Sequence, residues 1–171
     1  MKRIRSVICV FMLVLSLCGC GSTVRSMDDM LQVITTQEHV TGDLQATGMV
    51  ERENYTFVAA VSGQTEQESR FYAAEFSNLG DGTYSFAKMV PLTACGWQNA
   101  FCRWKDGYVF ICNNNDAACL QVKIYPADGE SSTHTLDVEK TPWVYFYQLP
   151  DLNQGYRGEF VFLDSEGNEI A

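Results

Sequence analysis

From Tyr55 to Leu163 apolar and polar residues alternate with a period of two, in short runs broken by Gly, Asn and Asp, and this constrains the fold more than any other feature. Successive side chains of a strand point to opposite faces, so each run reads as a half-buried or buried strand. Runs at 55–61, 70–76 and 84–90 come first, the last two joined across Asn78-Leu79-Gly80-Asp81-Gly82. Runs at 97–105 and 108–112 flank Asp106-Gly107, the strongest short hairpin signal in the chain. Leu120, Val122 and Ile124 alternate with polar partners, Leu136 and Val138 repeat the pattern, and 143–149 and 160–163 complete the set. Every aromatic residue except Phe11 lies between Tyr55 and Phe162, so the core belongs there. The expectation is a mainly β domain, an antiparallel β-sandwich or meander, with one short N-terminal helix.

That helix is expected over 27–36. Ser26 is placed to cap it, Asp28 and Asp29 sit in its first turn, and Met27, Met30, Leu31 and Ile34 recur at helical spacing. Residues 37–48 lack an apolar period and read as loop, and 20–26 as a polar tether. Residues 27–171 then form a single β-rich domain.

The N-terminus carries a different signal. Lys2, Arg3 and Arg5 precede an apolar run from Val7 to Leu17, the charged and apolar segments of an export signal over residues 1–19. The run is shorter than the ~20 residues a spanning helix needs. Leu17-Cys18-Gly19-Cys20 resembles the lipobox of bacterial lipoproteins, which implies cleavage between Gly19 and Cys20 and a diacylglyceryl group on the Cys20 sulfur. Two acyl chains give stable attachment. Without Lys2, Arg3 and Arg5 nine basic residues face twenty-one acidic ones, a net charge of −12. Such a charge argues against nucleic acid as a partner, and it leaves membrane attachment to the lipid rather than to a basic patch.

A short helix behind Cys20 is followed by Tyr108-Val109-Phe110, an Asn-rich turn and Leu120-Gln121-Val122-Lys123-Ile124. Pro142-Trp143-Val144-Tyr145-Phe146 and the stretch from Phe160 to Ile170 come after. This order resembles the small lipoproteins common in Gram-positive bacteria. The resemblance implies a small β domain and brings no activity with it.

Cys95, Cys102, Cys112 and Cys119 remain in the exported part, and an even number there reads as disulfides. Six residues lie inside each of the pairs 95 to 102 and 112 to 119, which favours two local loops over the nested pairing of 102 with 112 and 95 with 119. A two-residue turn at Asp106-Gly107 puts Cys102 and Cys112 on opposite faces, which argues against the nested form, while a three-residue turn with a bulge restores it. Zinc held by all four is the other reading, at spacings wider than zinc sites usually use.

His39 and His134 neighbour no nucleophile or metalloprotease motif and read as surface residues. Asn113-Asn114-Asn115-Asp116 and residues 151–155 lack the full pattern of a calcium loop and read as turns. Trp97, Trp104 and Trp143 form either a sugar-stacking platform or part of the core, and the core is the expectation. Trp143, Phe146, Phe160 and Phe162 in particular are expected to serve the fold. No catalytic constellation and no cofactor or metal site is legible. The functional expectation is a noncatalytic, membrane-anchored extracytoplasmic domain that binds an envelope protein, a peptide or a saccharide. A hydrolase using acidic residues and an accessory structural subunit are the alternatives. A deep cleft with converging carboxylates favours the enzyme, and an apolar patch favours binding.

Overall fold

The computed structural model describes residues 23–63, 69–96, 98–149 and 155–170. The export signal, Gly19 and Cys20, Trp97 and most of the 151–155 turn lie outside the described residues.

The chain is mainly β with antiparallel pairing throughout, as the period of two requires. In order the elements are β1 (Thr23–Val24), α1 (Met27–Glu38), β2 (Leu44–Arg52), β3 (Tyr55–Ser62), β4 (Arg70–Gly80) and β5 (Thr83–Met89). Then come β6 (Thr93–Ala94), β7 (Asn99–Trp104), β8 (Gly107–Cys112), β9 (Cys119–Pro126), β10 (Ser132–Asp137), β11 (Trp143–Gln148) and β12 (Tyr156–Leu163). They build three sheets, ordered β1-β5-β4-β3-β2, β11-β8-β7-β6 and β10-β9-β12.

The sheets stack as layers, and three apolar clusters fill the spaces between them. Met30 and Ile34 of α1 pack on Val58, Ala74 and Phe76, the outer face of the five-stranded sheet. Its inner face, with Phe57, Ala59 and Ala73, meets Cys102, Trp104, Val109 and Ile111 of the four-stranded sheet. The other face of that sheet, with Phe110 and Cys112, meets Leu120, Val122, Ile124 and Phe162 of the three-stranded sheet. Strands β3 and β8 are therefore covered on both sides.

Local chemistry sets the element ends. The Ser26 hydroxyl accepts from the Asp29 N–H at 3.1 Å and the Asp29 carboxylate accepts from the Ser26 N–H at 3.1 Å, a capping box at the expected start of α1. The helix runs two residues past Thr36, to Glu38, and closes at His39 with φ 51°. Asp81 and Gly82, both with positive φ, make the two-residue β4–β5 turn. At the β7–β8 hairpin Trp104 pairs with Gly107, so Lys105 and Asp106 form the turn, one residue earlier than the sequence suggests. A Cβ on Gly107 would collide with the Tyr147 carbonyl and the Phe146 ring, so the glycine serves close approach of β11 rather than turn geometry.

Two expectations about the N-terminal part are corrected. Thr23 and Val24, read as tether, pair with Ser85 and Tyr84 of β5, and Val24 is 4% exposed. Residues 37–48, read as loop, include the first half of β2. A register shift between Ala46 and Gly48 breaks its alternation, and its small and polar residues suit an edge strand, so no apolar period appears.

Between the two larger sheets sits a partnered carboxylate. Glu75, 5% exposed, accepts from Trp104 Nε1 at 2.6 Å and lies 3.1 Å from Lys105 Nζ. Trp104 is thus core, as expected of it.

Candidate functional site

The four cysteines do not make a site. All are free thiols, which corrects the expected local bridges, and strand parity explains why. Cys95 follows β6 and its N–H bonds the Asn99 carbonyl, while Asn99 pairs with Cys112 on β8. Cys95 and Cys112 therefore share the face toward the three-stranded sheet, and Cys102 points into the other cluster. Cys119 alternates with the inward Leu120 and lies on the outer face of β9. Each expected pair thus joins side chains on opposite faces of their strands. Burial pushes the Cys95 and Cys102 thiols up to about 12 and Cys112 to about 11, so all three stay protonated and unreactive at neutral pH. Among the described residues no group of three His, Cys, Asp or Glu side chains is placed to hold a metal ion. Asn99, 1% exposed between Cys95 and Cys112, has no hydrogen-bond partner for either side-chain polar atom.

Of the other candidates, the exposed His39 ends α1. The Asn113–Asp116 stretch is a turn: Asn114 Oδ1 accepts from the Asp116 N–H at 2.9 Å, and the Asn114 carbonyl accepts from Ala117.

Concave surface is found instead at one end of the packed four- and three-stranded sheets and along β11. A cleft of about 900 Å³ opens where the β8–β9 loop, the β10–β11 loop and the C-terminal turn converge. Asn115, Asp116, Glu139, Lys140, Thr141 and Glu166 give it a polar lining. The Thr141 hydroxyl donates to Asn115 Oδ1, tying two of these loops together. Asp164, also in the lining, accepts from the Glu166 and Asn168 N–H groups, each at 2.8 Å, and from Asn168 Nδ2 at 3.0 Å. These bonds, with Asn168 foremost, hold its carboxyl below the usual 3.8.

Two residues beyond Thr141 the edge strand β11 begins, and Trp143, Tyr145 and Tyr147 follow on one face. Trp143 and Tyr145 stack with ring centroids 5.3 Å apart and planes 6° from parallel. Trp143 also meets the buried Phe162 edge-on at 6.4 Å, so the stack is rooted in the core, while Tyr145 is 39% exposed. His134 of β10 stands 5.6 Å from the Tyr147 ring. Beside Tyr145 a second groove, about 470 Å³, runs between β11 and β2, lined by Glu51, Arg52 and Gln148 among others. Arg52 bonds Gln148 Oε1 at 3.1 Å and lies 4.1 Å over the Phe146 ring. Gly48 lets the two edges meet, since a Cβ there would stand 3.0 Å from Val144.

Sequence reasoning assigned Trp143 to the core and did not single out Tyr145. Phe162 is core at 1% exposure; Trp143, Phe146 and Phe160 are only partly buried, each packed against a cluster. The missed signal was alternation of large aromatics, Trp143-x-Tyr145-x-Tyr147, on a strand that the structure places at the sheet edge. Comparisons with protein-family models, with curated proteins and with solved structures found no match.

Proposed function

We propose that this chain is a lipid-anchored extracytoplasmic domain that binds an envelope ligand without transforming it, with β11 and its flanking cleft as the binding surface. The observation that carries the reading is the Trp143–Tyr145 stack, a partly exposed aromatic pair whose Tyr145 lines the groove between β11 and β2. Aromatic groups beside a few polar ones are what ligand sites usually offer. Asp164 accepts from three donors of its own turn, which commits it to holding that loop in place.

The short leash supports the same reading. With Cys20 lipidated, only Gly21 and Ser22 separate it from Thr23, which is already in the sheet, so the sulfur-bearing residue lies within about 10 Å of β1. Strand β1 is one edge of the five-stranded sheet and β2, next to β11, is the other, about 19 Å away at four strand spacings. The anchored edge faces the lipid and the aromatic edge faces the envelope.

Cell fractionation and capture test the two halves. Wild-type protein should partition with membranes through salt and alkaline washing, and Cys20→Ala should be released or left unprocessed. Mature full-length chain in detergent should retain an envelope component, and the Tyr145→Ala chain should not. Membrane retention of Cys20→Ala through those washes would falsify the anchor, and equal capture by both chains would remove the β11 site.

A further inference from the structure

We infer that the ligand of the β11 surface is a glycan chain of neutral or amino sugars, lying against the Tyr145 ring and extended along the strand. This rests on the binding reading above and goes further by naming the chemical class. A pyranose ring has an apolar C–H face and a rim of hydroxyls, so a site for it needs an exposed aromatic surface with hydrogen-bonding groups around it. Tyr145 supplies that surface, and its orientation is set in advance by the parallel stack on Trp143 and by Trp143 against Phe162. A ring held in place before binding loses little freedom on binding. Thr141, Asn115 and Ser165 line the cleft at one end of the strand, and Gln148 lines the groove toward the other.

Shape and charge narrow the class. The groove is lined by Tyr145 to Gln148 of β11 and the cleft ends at Thr141, two residues before a strand whose six residues span about 17 Å, an offset that suits a chain better than one sugar. The cleft carries Asp116, Glu139, Asp164 and Glu166 against Lys140 alone, so uronates and phosphate-bearing sugars are repelled while hydroxyls and ammonium groups are accepted. An ammonium over an aromatic ring is also attracted to its face. Strand β2 packs through Gly48 and the Arg52–Gln148 bond on the Val144 and Phe146 face of β11, so the aromatic face with Tyr145 is the one left for a ligand.

The test uses mature full-length chain in detergent, titrated calorimetrically with cello-oligosaccharides, chitosan oligomers and oligogalacturonates. Binding of the neutral or amino oligomers, longer ones more tightly, is expected, with none for the galacturonates. Tyr145→Ala should weaken the binding at least tenfold with an unchanged melting temperature, and Tyr145→Phe should keep it. No binding of any neutral or amino oligomer at millimolar concentration, a preference for the galacturonates, or undiminished affinity in Tyr145→Ala overturns the inference. If capture from the envelope still depends on Tyr145 but the retained component is a protein, the glycan inference fails while the binding reading stands. If capture does not depend on Tyr145 either, both fail.

Discussion

Strands β8 and β11 are neighbours in one sheet and nearly alike in composition, yet they differ in what covers them. Tyr108-Val109-Phe110-Ile111-Cys112 and Trp143-Val144-Tyr145-Phe146-Tyr147 are both apolar at almost every position, the pattern of strands buried on two faces. For β8 that is the outcome: Val109, Phe110, Ile111 and Cys112 are all 0% exposed. Strand β11 lies at the sheet edge, with Val144 and Phe146 only partly buried against one core and Tyr145 39% exposed on the other face. Apolar density along a strand thus fixes that it belongs to a core-forming sheet and leaves open whether it is central. The surplus aromatic surface of an edge strand is then free for a ligand.

The comparison breaks first at Phe110. It packs with Phe101, Tyr108 and Phe160 at centroid distances of 6.2, 6.1 and 4.9 Å, and Phe110→Ala should cost about 3–5 kcal/mol, as a fully buried aromatic does. Chemical denaturation measures it, and a cost under ~1 kcal/mol would mean β8 is not the doubly covered strand described. Trp143→Ala comes next, at about 2 kcal/mol because only part of the indole is buried. A cost matching Phe110→Ala would erase the distinction between centre and edge. It should also loosen Tyr145, so ligand retention falls further than the unfolded fraction accounts for.

A smaller effect separates Tyr108 by its titration. Burial first, and the Tyr156 hydroxyl second, push Tyr108 up to about 12 from the ordinary 10.0. The folded chain therefore holds this proton more tightly than the unfolded chain does. Its contribution to stability is complete below pH 10 and is lost as pH rises through about 12. Tyr108→Phe should flatten the alkaline decline in that window, and an identical decline in both proteins would count against the burial of β8. The smallest stability change belongs to Tyr145→Ala, within about 0.5 kcal/mol for a surface side chain. A large loss there would make Tyr145 a structural residue and the β11 surface an ordinary part of the core.

Much of this molecule was written in local sequence. The helix start follows from Ser26 and Asp29 because a capping box closes within four residues, and most of the strands follow from alternation because a strand's period is independent of its partner. Parity alone also separated Cys102 from Cys112, and it did so although the hairpin turns one residue earlier than Asp106-Gly107 suggests. What stayed hidden depends on which elements meet. Strand β2 was lost because an edge strand with a bulge needs no apolar period, and β1 because two residues show a strand only when β5 is beside them. The cysteine spacing suggested local loops, but a bridge depends on which face and layer each side chain reaches, and layering is decided by sheet packing. Likewise the sequence showed that Trp143 and Tyr145 are aromatic and two residues apart. Only the edge position of β11, fixed by long-range pairing with β8, left Tyr145 exposed beside a groove shared with β2, a strand some hundred residues earlier in the chain.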